Sequence, residues 1–122
     1  MLLAQAYKNP EKSNKIIPLK VRVAHTVLQQ TKGLMFLSKG RFDFALVFPF
    51  KQKNRFLNSI HMLFVFFPIC AIFLDENKMV VDKKILKPFT PIYVPKKDCR
   101  FLIELPQMYS KKIRVGDIVK WS

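Results

Sequence analysis

From Met62 to Leu74 the chain runs 13 residues without a charge, interrupted only by Pro68. Three fates are open to such a run: a membrane span, a buried helix, or buried strands. A spanning helix needs about 20 apolar residues, and Asp75-Glu76-Asn77 closes this run before that length. A single buried helix would carry Pro68 in its interior, where the missing N–H and the ring clash cost roughly 3 kcal/mol. Aromatic and β-branched residues dominate on both sides of the proline, a composition that favours strands. The sequence therefore predicts strands near Ile60–Phe67 and Ile69–Leu74, or one long strand bent at Pro68. Both faces of these segments are apolar, so the sheet should be covered on both sides here.

Around this run the remaining elements are short. Leu19–Ala24 alternates apolar and charged residues, as a half-buried strand does. Thr26-Val27-Leu28-Gln29 has the form of a capping box. It predicts a short helix with Leu28, Leu34 and Met35 on its inner stripe, ending at Gly33 or Gly40. Phe42–Phe48 reads as a strand stopped by Pro49. Asp75–Lys78 reads as a hairpin loop into Met79–Val81, which Lys83–Lys87 extends. Pro88, Pro91 and Pro95 restrict Thr90–Val94 to a short edge piece. Phe101–Leu105 is a further strand, Ser110–Lys112 a helical turn or loop, and Gly116-Asp117 a turn before a closing strand, Ile118–Trp121. The pattern predicts an α+β chain of mostly antiparallel β structure. Its expected form is a small closed or nearly closed barrel of about seven or eight strands, with one short helix near the N-terminus.

The 122 residues suffice for one domain over 1–122. Residues 1–18 are expected as an exposed lead-in, because Lys8–Lys15 is rich in turn formers, and 19–121 as the β-rich core. Half the residues are hydrophobic and 12 are Phe, which excludes the disordered class despite a net charge of +14. Met1–Tyr7 is too short for a signal-peptide core and has its lysines on the wrong side, so a cytoplasmic location is expected. Cys70 and Cys99 stand in no metal-type spacing and are expected as reduced thiols that pack as small hydrophobes.

The order of motifs also carries a resemblance. Thr31-Lys32-Gly33-Leu34-Met35, Ala45-Leu46-Val47-Phe48, the Met62–Asp75 run around Pro68, Glu104-Leu105-Pro106 and Val115-Gly116-Asp117-Ile118-Val119 together resemble domain of unknown function 192. This family is also called uncharacterised protein family 0127, and the likeness runs from about Leu19 to Trp121. The family often shows Trp-Met-Lys-Asn-Thr and then Pro-Leu-Asp, where this chain has His61-Met62-Leu63-Phe64-Val65 and Pro68-Ile69-Cys70. The resemblance implies a small β-rich domain with a short helix and implies no activity.

Eight acidic residues leave few candidates for chemistry. Asp75 and Asp117 sit at turns, where Asp commonly bonds its own backbone. Glu104 lies between Ile103 and Leu105; it could serve as a structural hydrogen-bond or ion-pair partner, or as a general acid if burial raises its pKa. His61, Met62, Glu104 and Asp117 are the residues around which a ligand pocket would form. No catalytic residue, metal site or cofactor is assigned, and an enzyme is the lesser reading.

Of the 22 Lys and Arg residues, many gather in expected turns: Lys51, Lys53 and Arg55; Lys83, Lys84 and Lys87; Lys96, Lys97 and Arg100; Lys111, Lys112 and Arg114. They could engage a polyanion such as nucleic acid, with Phe56, Tyr93 and Tyr109 for stacking, or serve an anionic membrane surface. Equally, they could solubilise an apolar chain and blunt its edge strands. The leading expectation is a monomeric, non-enzymatic binding or accessory module with an unknown partner and no membrane span. Nucleic-acid binding, and a small-ligand or enzymatic pocket, are the alternatives.

Overall fold

Uninterrupted apolar segments become the middle of a sheet, and alternating ones become its edges. The computed structural model describes residues 2–6, 14–25 and 33–121, with side chains within 16–25 and 33–121. Its strands, in chain order, are β1 (Leu2–Ala6), β2 (Asn14–Ile17), β3 (Lys20–Val23), β4 (Phe44–Pro49), β5 (Ile69–Leu74), β6 (Val80–Leu86), β7 (Phe101–Pro106) and β8 (Asp117–Trp121). They form a five-stranded sheet, β3-β4-β7-β5-β6, and a three-stranded sheet, β2-β1-β8. Pairing is antiparallel throughout except between β3 and β4, which run parallel.

All six residues of β5 are buried, and so are the interior residues of β4 and β7. One face of the larger sheet presents Phe44, Leu46, Phe48, Leu102, Ile69, Ala71 and Phe73 to a cover that includes Leu34, Phe42, Met62, Val65 and Phe67. The opposite face presents Ala45, Val47, Ile103, Cys70, Ile72 and Leu74 to Ile17, Leu19, Ile113 and Val119. Burying each large apolar side chain stabilises by roughly 1.5–3 kcal/mol, so two covered faces are what hold an otherwise thin sheet.

The expected barrel does not form. The larger sheet ends at β3 and β6 as open edges, and β8 meets the β6 side through one isolated bridge, Met79 to Ile118. A barrel needs a continuous ladder around the ring, and β3 has its ladder with β4 only. Residues 1–18, expected as an exposed lead-in, supply β1 and β2, and Ile17 is fully buried. Of the helix expected from Thr26, residues 26–32 lie outside the described residues, and 33–36, where Leu34 and Met35 were expected on its inner stripe, form a turn; the described residues hold two 3-10 segments, Lys39–Arg41 and Gln107–Lys112. Among the described residues no helix is long and apolar enough to cross a membrane.

The chargeless run divides at Pro68. Ile69–Leu74 is β5, as expected, but Ile60–Phe67 is a cover segment and not a strand. Only Ile60 forms a bridge, to Tyr93, and Val65 N–H closes a turn onto the Met62 carbonyl at 3.1 Å. Met62, Val65 and Phe67 face the sheet, while Leu63, Phe64 and Phe66 are exposed. The turn holds Phe64 at φ 58°, and Phe36 and Phe89 in neighbouring loops stand at 64° and 61°. Left-handed backbone at a residue with a Cβ costs roughly 1–2 kcal/mol each, so other interactions must hold these three loops.

Candidate functional site

Glu104 sits at the centre of the larger sheet. Strand alternation puts it on the face of Leu102, and its neighbours in register are Leu46 on β4 and Ala71 on β5. None of these side chains offers a donor or a charge. Glu104 is 6% exposed, and burial pushes its carboxyl up to about 8. It is therefore largely protonated at neutral pH, able to donate one hydrogen bond and accept others.

Above it opens a cavity of about 400 Å³. Leu34, Met35, Phe48, Phe50, Val65 and Leu102 give it apolar walls, while Asn58, His61 and Glu104 are polar groups that line it. Asn58 Nδ2 donates to the carbonyls of Gln52 and Cys99, each at 2.9 Å. Its Oδ1 is buried without a partner, which ordinarily costs about 1–3 kcal/mol. His61 is exposed, and its Nδ1 accepts the Leu63 N–H at 3.1 Å. Neutral His61 therefore carries its proton on Nε2. A second hollow, between Lys39, Phe67 and Gln107, has no buried polar group among its lining residues.

The structure thus brings His61 and Glu104 together and leaves two other expected pocket residues out. Met62 is fully buried in the cover and does not line the cavity. Asp117 begins β8, where its Oδ2 accepts the Arg114 N–H at 2.9 Å, the turn role open to it from sequence. Asn58 was not legible as a site residue: it stands in a polar turn, and only its long-range bond to Cys99 and its bond to Gln52 fix its amide at the cavity. Of the positions where the resemblance shows Lys-Asn-Thr, Val65 lines the cavity, and Leu63 and Phe64 lie on the outer surface.

The basic turns form two groups. Cys99 N–H bonds the Lys53 carbonyl at 3.2 Å and Arg55 N–H bonds Asp98 at 2.9 Å, which joins Lys51, Lys53 and Arg55 to Lys96, Lys97 and Arg100. Arg55 spends its guanidinium on the carbonyls of Pro95 and Lys96. In the second group, Lys83 Nζ donates to the carbonyls of Ser110 and Ile113 at 2.6 and 2.8 Å, beside Lys111, Lys112 and Arg114 in sequence. Lys84 is exposed on β6. Of the proposed stacking residues, Phe56 is exposed under the Arg55 guanidinium, 4.4 Å away. Tyr93 bonds Asp82, and Tyr109 is half-buried near Lys112. Among the described residues no cluster of His, Cys, Asp and Glu could hold a metal ion.

The sequence profile of DUF192, described as "Uncharacterized ACR", matches residues 8–121. The chain belongs to this family. A UPF0127 protein of Pyrococcus horikoshii is 41% identical over 104 residues, covering 84% of this chain and 87% of its own. One of Pyrococcus furiosus is 36% identical over 110 residues, covering 88% and 91%. A crystal structure of a protein of unknown function from Novosphingobium aromaticivorans superposes with a TM-score of 0.80 at 17% identity, covering 98% of this chain and 83% of the other. At that identity it shows that the DUF192 fold described above recurs, and nothing about activity.

Proposed function

We propose that this DUF192 chain is a non-catalytic binding module that takes a small molecule into the Glu104 cavity. What supports the reading is that the buried Glu104, which has apolar neighbours in register, and Asn58, whose Oδ1 is buried without a partner, both line one apolar-walled cavity. Asn58 has both amide protons committed to carbonyls, so its oxygen calls for a donor from the ligand. Protonated Glu104 offers a donor and an acceptor side by side. A carboxamide head on an apolar body meets all three demands: its carbonyl takes the Glu104 proton, one N–H returns to Glu104, and the other reaches Asn58. The buried free thiols of Cys70 and Cys99, on opposite faces of the sheet, suit a reducing, cytoplasmic setting.

Titration of the labelled chain with benzamide and aliphatic primary amides, followed by amide NMR, tests this. Shifts should concentrate at Gly33–Met35, Asn58–His61 and Leu102–Glu104. Glu104→Leu should weaken binding by about tenfold or more, the loss of one good hydrogen-bonding partner in a dry site, and Asp117→Ala should leave it unchanged. Shifts confined to other surfaces would sink the reading, and conversion of a bound amide would overturn its non-catalytic part.

A second reading, contact of a polyanion with the Lys51–Arg55 and Lys96–Arg100 group, has the exposed Phe56 ring beside these lysines in its favour. It requires oligonucleotide affinity that falls steeply with salt and that Lys96→Glu/Lys97→Glu removes.

A further inference from the structure

Four phenylalanines that the sheet does not use stand together on the surface. Phe36 stacks on Phe64 with centroids 5.0 Å apart, Phe64 meets Phe89 at 6.3 Å, and Phe89 meets Phe66 at 5.4 Å. They are 65, 46, 46 and 54% exposed in the order Phe36, Phe64, Phe89, Phe66. Hydrogen bonds tie the loops that carry them: Phe36 N–H donates to the Phe64 carbonyl at 2.8 Å, and Phe89 N–H to the Met62 carbonyl at 3.0 Å. Three of the four have left-handed backbone, where exposed loops ordinarily place Gly, Asn or Asp. A bulky ring kept in an unfavourable backbone and then left in water does nothing for stability. Strain of this kind, coinciding with a contiguous exposed apolar patch, is the signature of a working surface.

We propose that this aromatic ledge docks the protein onto an anionic lipid surface, the rings entering the headgroup boundary beside the lipid phosphates. The loops that carry the rings also hold exposed Lys39, Arg41 and Lys87, and residues 33–41, 61–67 and 87–90 contain no acidic residue. Apolar area and cationic charge, here carried by the same loops, are the two contributions that interfacial binding sums. Lacking a spanning helix among its described residues, the chain would lie on the bilayer and not cross it. A second copy fits the ledge less well, because it would bring together two chains of net charge +14 each. Single-stranded nucleic acid needs open ring faces to stack on; here Phe36 and Phe64 stack on each other, and the other contacts are edge to face.

Co-sedimentation of the full chain with phosphatidylcholine vesicles, with and without about 30% phosphatidylglycerol, tests this. The chain should partition onto the anionic vesicles, less so as salt rises, and not onto pure phosphatidylcholine. Phe64→Gly/Phe89→Gly relieves the left-handed backbone while removing two rings; it should stay folded and lose about tenfold or more in partitioning. Lys39→Glu/Lys87→Glu, which leaves the rings in place, should lose binding to a similar extent. Absence of partitioning, or partitioning untouched by either variant, would overturn the proposal. So would a ledge that the glycine variant shows to be needed for self-association, or for oligonucleotide binding, in a chain that ignores vesicles.

Discussion

Tyr93 donates its hydroxyl to Asp82 across 2.6 Å, from the bridge segment to a buried position on the edge strand β6. Asp82 also accepts the Lys96 N–H at 3.0 Å, so one carboxylate ties two loop positions to the sheet. Burial, then the bond to Asp82, holds the Tyr93 phenol well above its ordinary range. Tyr93→Phe keeps the ring against Phe73, 5.8 Å away, and removes only the bond. It should destabilise by about 1–3 kcal/mol, the range for a hydrogen bond to a charged, buried group, as a lowered urea midpoint with unchanged slope.

Glu104 makes stability depend on pH. Its folded carboxyl titrates at about 8 against an ordinary 4.5, so between those values the folded chain binds more protons than the unfolded one. Stability from this group is fully present below pH 4.5 and is lost as pH rises through 8. Glu104→Gln cannot ionise and lacks that slope. Its melting temperature should match the parent near pH 5 and exceed it increasingly toward pH 8.5, by an amount of order a few kcal/mol in stability. Parallel melting curves of the two proteins across that range would contradict the assignment.

Both thiols should be inert in the folded chain. Burial pushes Cys70 and Cys99 each up to about 11, which leaves roughly a thousandth of either as thiolate at pH 8. Iodoacetamide should label neither on the time scale that labels a free thiol and both once the chain is unfolded, as counted by mass spectrometry. Rapid labelling of one native thiol would show that its side of the sheet opens locally.

The β5–β6 hairpin hangs on Asp75, whose Oδ1 accepts the N–H groups of Asn77 and Met79 at 2.9 and 3.0 Å. Asp75→Ala removes both bonds at a half-exposed turn. A loss of about 1–2 kcal/mol is expected, while Asp75→Asn, which keeps the acceptor, should lose less.

How far the sequence could be read differs from segment to segment, for physical reasons. Ile69–Leu74 was legible because a fully buried strand needs apolar residues at every position, and Asp75–Lys78 because its turn chemistry is local. Ile60–Phe67 carries the same composition, yet its role depends on a left-handed residue, Phe64, that no hydrophobic period reveals. The open sheet was hidden because the parallel β3–β4 pair and the insertion of β7 between β4 and β5 are non-local choices. The scarcity of acidic residues brought Glu104, between Ile103 and Leu105, into view, but the sequence could not say that Leu46 and Ala71 would flank its carboxyl. Nor could it separate Asp117, whose partner is its own turn, from the cavity.

The central place of β7 has a consequence for how the chain is made. Residues 101–106 are synthesised long after 44–49 and 69–74, yet both of those strands pair with them. On a ribosome adding about 5–20 residues per second, the nascent polypeptide spends seconds with two apolar half-sheets whose inner edges are unoccupied. Release of the last fifth of the chain is then the event that zips them together, and a chaperone able to shelter paired hydrophobic ribbons would be needed most in that interval.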